Sequence, residues 1–355
     1  MVRNRLIQLL LTPFSLLYGL GVSIINISYR YGLLKGVEFN MPVISVGNLT
    51  IGGAGKTPHI EYLIRLLKDY INVSTLSRGY GRSTKGFLQV HENNTAEEVG
   101  DEPLQFKRKF PDISVGVSEN RTFAIPKLLM DQPDLQLILL DDAFQHRSVK
   151  PGLNILLTEY SQPFSKDFLL PAGRLREWRS AYQRADMVIV SKCPYEWSPS
   201  IRQEMIDSIQ PLPYQSVYFS YYEYDDPYYI FNKNYGGPIQ EHWTVLLVSA
   251  IARTEYLVDY LQGQVDHVKL LEYEDHHYFS KYDVSHIKKV FDLIESPNKI
   301  ILTTEKDAMR LELHQPYLTE HQLPIFVLPA RVAFHEEDGE QFNADIQEYL
   351  LGFKS

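Results

Sequence analysis

One cysteine, Cys193, stands in 355 residues. That excludes an internal disulfide framework and any cysteine-rich metal site, and it fits a reducing compartment such as the cytosol. There is no internal repeat and no low-complexity tract. Charged residues make up 22% against 44% hydrophobic, a balance that excludes disorder, collagen and coiled coil. A basic excess is also missing: the net charge is -9, which argues against a nucleic-acid partner. The length suits two domains rather than one.

Acid is absent from residues 1–35, which hold Arg3, Arg5, Arg30 and Lys35 and so carry +4, leaving -13 for the remainder. Between Arg5 and Arg30 no charge occurs for 24 residues, Leu6 to Tyr29, long enough to span a bilayer. Within this run Gln8, Thr12, Ser15, Gly19, Ser23, Asn26 and Arg30 recur at helical spacing as one small or polar stripe. A spanning helix with such a stripe wants partner helices, and no second apolar run of that length follows. A helix lying in the interface, with its cationic flanks toward anionic headgroups, fits equally well. Pro13 is expected to kink it. A buried core helix and a cleaved signal peptide are the bland alternatives, but no Ala-x-Ala-like site follows.

Downstream, short apolar runs alternate with amphipathic stretches. Strands are expected at Pro42–Val46, Val73–Leu76, Ile113–Val117, Leu135–Leu140, Leu153–Leu157 and Met187–Val190, with helices from about Pro58, Asp101 and Arg121. The runs are continuous rather than alternating, which predicts a parallel sheet covered on both faces. Residues 195–240 are rich in Pro, Tyr, Asn and Asp and read as irregular strands bridging two lobes. A second α/β series follows from Trp243 to Leu351. The expected fold is α/β: a P-loop NTPase-like parallel-sheet lobe, a second, smaller α/β lobe, and an N-terminal membrane-associated helix. The expected divisions are 1–35 for that helix, 36–212 for the P-loop domain, 213–240 for a linker and 241–355 for a lobe closing over the site.

The sharpest local signal is Thr50-Ile51-Gly52-Gly53-Ala54-Gly55-Lys56-Thr57, placed after a strand and before a helix. Glycines let backbone N–H groups turn inward around phosphate oxygens, Lys56 reaches the β- and γ-phosphates, and Thr57 offers its hydroxyl to Mg2+. Thr50 stands where the usual pattern begins with Gly, so the loop is similar to the deviant P-loops, with Ile51 where those carry Lys. The bland alternative is a glycine-rich turn. Asp141 and Asp142 end an apolar strand, where a metal-holding acid belongs. If a helix follows, Asp142 and His146 share a face. Otherwise the Asp is only a helix cap.

Taken together the motifs resemble the tetraacyldisaccharide 4'-kinase family. The matching stretches are Val46-Gly47-Asn48-Leu49-Thr50 leading into the glycine loop, Ser77-Arg78-Gly79-Tyr80-Gly81-Arg82, Gly100-Asp101-Glu102-Pro103 and Asp141 to Arg147. They continue with Pro171 to Glu177, Asp275-His276-His277 and Thr304-Glu305-Lys306-Asp307. The resemblance implies transfer of the γ-phosphate of ATP to the 4'-hydroxyl of a lipid A disaccharide precursor, at the cytoplasmic face of the bacterial inner membrane, by a monomer. It implies ATP and Mg2+ as cofactors and an anionic membrane surface as partner. It matches Asp101 to the catalytic base and His276 to its histidine, beside Lys56. It gives Thr57, Glu102, Asp141 and Asp142 to the metal, and Asn48, Arg78, Tyr80, Arg121, His146, Arg176 and Glu177 to the substrate. For Asp101, residue type alone leaves a helix cap open, and for Thr304 to Asp307 a cap and a nucleotide contact stand level. Trp178 departs from the family, where Pro is common. The rival reading is a deviant P-loop NTPase switch or metallochaperone-type protein, which leaves the 24-residue uncharged run unexplained.

Overall fold

Continuous apolar runs become strands buried on both faces. All six residues of β1 (Val43–Asn48) are buried, as are all five of β2 (Val73–Ser77). The computed structural model describes residues 5–353. Arg3, counted above in the basic flank, lies outside them, as does the side chain of Arg5. Further along the first lobe come β3 (Leu88–Gln89), β4 (Ser114–Val117), β5 (Leu137–Asp141), β6 (Leu153–Glu159), β7 (Met187–Ser191) and β8 (Ser216–Tyr224). The second series holds β9 (Tyr228–Tyr229), β10 (Asn232–Gly236), β11 (Thr244–Ser249), β12 (His267–Glu272), β13 (Lys299–Thr304), β14 (Ile325–Leu328) and β15 (Ala330–Phe334). The nine-stranded sheet runs β15-β8-β7-β6-β1-β5-β2-β4-β3, and the six-stranded sheet runs β10-β9-β14-β13-β11-β12. Strands from β8 across to β4 are mutually parallel, with antiparallel strands only at the edges. This is the covered parallel sheet that the apolar runs predict.

The tyrosine-rich segment departs from the expected irregular linker of 213–240. Ser216–Tyr224 is a regular nine-residue strand parallel to β7, with Tyr218, Phe219 and Ser220 buried. Tyr218 and Phe219 enter the cores on opposite faces of the sheet, so the sheet continues past residue 212. The last stretch of the expected 241–355 lobe also returns to the first sheet. β15 pairs antiparallel with β8, Ala330 opposite Tyr224 and Phe334 opposite Ser220. The helix Asp338–Gly352 seals that edge, with Phe342 stacked on Phe334 at 4.9 Å between ring centroids and edge-on to Tyr218 at 5.2 Å. Aromatic burial of this size fixes the return. The second lobe is thus an insertion between β8 and β15.

The uncharged run forms α1 (Arg5–Arg30), 26 residues with Pro13 inside. From Ser15 to Asn26 its stripe faces the protein rather than other helices. Ser15 Oγ donates to the Leu169 carbonyl and accepts from Ala172 N–H, both at 3.0 Å. Trp178 donates its indole N–H to Ser23 Oγ at 3.0 Å, and a Cβ on Gly19 would lie 2.4 Å from the Trp178 ring. Gly19 is therefore required by close approach. Asn26 Nδ2 donates to Glu177 at 3.0 Å. Away from the stripe, Leu9, Leu10, Phe14, Leu17, Leu20, Ile24 and Ile27 are exposed, and only 11% of the apolar window is buried. A buried core helix is excluded.

Candidate active site

A cleft of about 630 Å3 opens where the C-terminal ends of both parallel sheets face each other. Open α/β sheets bind ligands at that edge. From the first lobe it is lined by Thr50, Ile51, Gly52, Gly53, Gly55, Lys56 and Thr57, with Arg78 and Tyr80 after β2, Glu102, Arg121, and Asp141, Asp142 and His146 after β5. From the second lobe come Ala252, Asp275, His276, Thr304, Glu305 and Lys306.

The glycine loop leads from β1 into α2 (Lys56–Leu67), with Gly52 at φ +108° and Gly55 at φ +86°. Those angles favour glycine, and the loop leads straight into the N-terminus of a helix, where backbone N–H groups favour an anion. Ala54 is buried beneath the loop. Lys56 Nζ donates to Asn48 Oδ1 at 3.3 Å and lies 3.7 Å from Asp142 Oδ1. Arg176 grips Asp142 with two hydrogen bonds, of 3.2 and 2.8 Å, and also donates to the Asn48 carbonyl at 2.9 Å. Asn48 thus spaces the two cations behind the loop. Burial alone would raise the Asp142 carboxyl, but Lys56 and then Arg176 outweigh it and hold it well below the carboxylate range.

Asp141 behaves oppositely. Burial first, then the charges of Glu102 and Asp142, push its carboxyl up to about 7. Ser77 Oγ donates to Asp141 Oδ2 at 3.3 Å, but Oδ1 has no hydrogen-bond partner. A buried acid left unsatisfied beside two other carboxylates has the charge to hold a cation. Among the described residues no group of three or more His, Cys, Asp or Glu side chains is arranged to hold a metal alone. Arg121, itself buried, donates to the Asp141 main-chain carbonyl at 3.1 Å. No helix follows Asp142: the chain turns, with Asp142 at φ +45°, so neither the helical pairing with His146 nor the cap alternative applies. Burial, then Arg121 and Arg78, lower His146 to about 4, and its Nε2 has no partner.

Asp101 begins the helix Asp101–Lys109, capped by Gly100. Its Oδ1 accepts the Glu102 N–H at 2.9 Å, and its Oδ2 faces His276 Nδ1 at 3.2 Å. His276 belongs to the second lobe, in a turn at φ +61°, with its N–H on the Ala250 carbonyl at 3.1 Å and its ring 4.9 Å from that of Tyr80. Burial would raise Asp101, but Lys306, the His276 hydrogen bond and Arg310 hold it well below the usual range. Thr304 caps its helix through the Asp307 N–H at 3.1 Å. Lys306 reaches Glu102 at 3.0 Å and His276 Nε2 at 3.1 Å. The Thr304–Asp307 stretch thus both caps a helix and enters the cleft.

Of the expected site residues, Asn48, Ala54, Asp101 and Glu177 are not on the cleft wall: Asn48 and Asp101 sit directly behind it on Lys56 and His276, whereas Glu177 is turned toward α1. Its carboxylate pairs with Arg184 at 2.7 Å and accepts from Asn26 on α1. Sequence reasoning missed Arg310, fully buried and 3.6 Å from Asp101, and Lys192, paired with Glu159 at 3.3 Å and 4.3 Å from the Tyr256 ring centre. Arg310 follows Asp307 by three residues, a helical spacing that offered the only clue.

Comparison with known proteins places this geometry. The family model for tetraacyldisaccharide-1-P 4'-kinase matches residues 7–350. The tetraacyldisaccharide 4'-kinase of Bacteroides thetaiotaomicron is 41% identical over 352 residues, covering 96% of this chain and 92% of its own. That of Flavobacterium psychrophilum is 45% identical over 305 residues, covering 85% and 86%. The crystal structure of LpxK from Aquifex aeolicus in complex with ATP superposes with a TM-score of 0.73 at 30% identity, over 97% of this chain and 99% of that one. With its glycine loop, paired acids and cross-lobe Asp–His contact carried on that fold, the chain belongs to the tetraacyldisaccharide-1-P 4'-kinase family.

Proposed function

We propose that this protein transfers the γ-phosphate of ATP to the 4'-hydroxyl of a tetraacylated glucosamine disaccharide 1-phosphate, a step in lipid A biosynthesis. The observation that carries this reading is the Asp101–His276 contact across the cleft from Lys56, in a chain of that family. The loop amides of residues 52–57 and Lys56 hold the nucleotide phosphates. Asp141, with its free Oδ1, Thr57 and Glu102 would hold Mg2+, and Asp142 stays beside them on Arg176. When bound there, Mg2+ would offset negative charge on the β- and γ-phosphates.

Asp101 takes the proton of the acceptor hydroxyl. A general base must be ionised at working pH, and Lys306 with Arg310 ensures that Asp101 is. The same cations keep it a modest base, so position contributes more than strength. His276 orients the carboxylate. Arg176, Arg121 and Arg78 supply positive charge near the transferring phosphate, and Asn48, Tyr80 and His146 border the acceptor. Glu177 serves the acceptor side indirectly, by holding α1 through Asn26.

The exposed apolar face of α1 rests in the cytoplasmic surface of the inner membrane, with the active site turned toward lipid headgroups. A monomer suffices for this reading, and an acidic main body has no need of nucleic acid. Labelled ATP incubated with tetraacyldisaccharide 1-phosphate in detergent is expected to give labelled lipid. Strong hydrolysis without any lipid product would favour a P-loop NTPase switch instead.

A further inference from the structure

An acceptor with a phosphate at position 1 and a reacting hydroxyl at position 4' carries its anionic group and its reacting group on opposite sugars. The glycine loop serves one end only. A second cavity, of about 470 Å3, lies beyond His146, which lines both it and the main cleft. Its wall includes Tyr29, Lys35, Arg147, Lys150 and Arg184 and no acidic side chain.

The chain builds this cluster locally. The Val37 N–H donates to the Ser148 carbonyl and the Lys150 N–H to the Val37 carbonyl, both at 2.8 Å, which brings Lys35 and Lys150 to the wall of one cavity. Gly36 makes the approach possible, since a Cβ there would lie 2.7 Å from the Arg147 carbonyl oxygen. Arg147 is fixed from α1: it donates to Asn26 Oδ1 at 2.8 Å and sits 4.8 Å over the Tyr29 ring. Arg184 lies over Phe144 and is the only one of the four cations with a carboxylate partner, Glu177, among the described residues. Lys35 and Lys150 are exposed and have none. Like charges gathered without acids raise the free energy of the empty cavity and favour an anion. The cavity also sits at the end of the exposed apolar helix, at headgroup depth if that helix rests on lipid.

We propose that this cavity binds a lipid-borne phosphate, and that the phosphate is the 1-phosphate of the acceptor. The inference rests on the kinase reading and assigns that reaction a second anchoring site, through Lys35, Arg147 and Lys150. A phospholipid of the bilayer could bring the same chemistry, and the experiment separates the two sources.

The test uses the full chain and the double variant K35Q/K150Q, whose side chains lie outside the catalytic cleft. Transfer is measured in neutral detergent with the tetraacyldisaccharide 1-phosphate and with the same lipid stripped of that phosphate. Flotation is measured with phosphatidylcholine vesicles with and without phosphatidylglycerol. The expected result is a KM raised about ten-fold for the phosphorylated acceptor, the scale of one charged hydrogen bond, with kcat unchanged and no effect on the stripped lipid. An unchanged KM with a lost preference for phosphatidylglycerol would keep the lipid-phosphate site and overturn the acceptor as its source. No change in either assay overturns the proposal. Failure of the wild-type chain to phosphorylate either lipid would instead sink the kinase reading, leaving the vesicle arm to judge the cavity. Thermal unfolding matched to wild type excludes misfolding as the cause.

Discussion

Lys306 Nζ lies 3.1 Å from His276 Nε2, on the edge of the imidazole opposite the one that meets Asp101. An ammonium has no lone pair and can only donate. Nε2 therefore accepts, which leaves a proton on Nδ1 to point at Asp101. The two side chains fix one tautomer between them. Replacing Lys306 by Met is expected to lower kcat about ten-fold or more, the value of one charged hydrogen bond, while Arg restores part of it. Single-turnover transfer of labelled phosphate checks this, and an unchanged rate for Met would rule out the positioning role.

Asp101→Asn keeps the shape and removes the base. The expected loss is about 10²- to 10⁴-fold in kcat with little change in the KM for ATP. Steady-state kinetics at saturating acceptor decide it, and near-wild-type turnover would remove Asp101 from the chemistry.

Lys56 has a structural as well as a chemical neighbour, because Asp142 loses one of its two cations when it is removed. Lys56→Met is expected to reduce turnover by about 10²- to 10³-fold, as for removal of one preorganised charge at the transferring group. Binding of a fluorescent ATP analogue should weaken in parallel. Retained transfer would contradict the assignment of this loop to phosphate.

His59, on α2, is buried between the Gly55 carbonyl at 2.7 Å and Ser220 Oγ at 2.9 Å, and so ties the glycine loop to β8. Burial lowers its pKa from 6.5 to about 4. Between those values the unfolded chain takes up a proton that the folded protein refuses, so stability falls as pH drops from 6.5 toward 4. The loss reaches up to about 3 kcal/mol. Urea unfolding of wild type and His59→Gln at pH 7 and pH 4.5 should show a smaller acid loss in the variant. An equal loss in both would assign it to other groups.

Gly19→Leu tests the docking of α1. The new side chain collides with Trp178, while the outward apolar face is untouched. Vesicle flotation is expected to persist, and transfer to the lipid acceptor to fall several-fold. Loss of flotation with intact transfer would reverse the roles given to the two faces.

Much of the first lobe was legible because its signals are local. The strand ahead of Asn48 and the run ending at Asp141 are continuous apolar stretches, and the glycine loop lies between a strand and a helix as its chemistry requires. The stripe on α1 was legible as a pattern, but its partner was not. It meets the loop from Leu169 to Trp178, some 150 residues on, and no periodicity names a distant surface. The path of the last strand was hidden for a related reason. Ala330–Phe334 is short and half-exposed, and only its register with Tyr221 and Tyr222 decides which sheet takes it. Arg310 lay out of sight because its role depends on Asp101, more than two hundred residues earlier, being folded against it.

The return of β15 to the first sheet makes the nucleotide lobe a split unit. Its edge strand and sealing helix are synthesised only after the whole of the intervening lobe. A chain stopped at Pro329 would keep every second-lobe strand yet leave β8 an open edge, with the aromatic faces of Tyr218 and Tyr222 bare to other chains. Truncation at the far end of the polypeptide would therefore expose the lobe that starts it, and the product would aggregate through the domain built mostly from residues ahead of the cut.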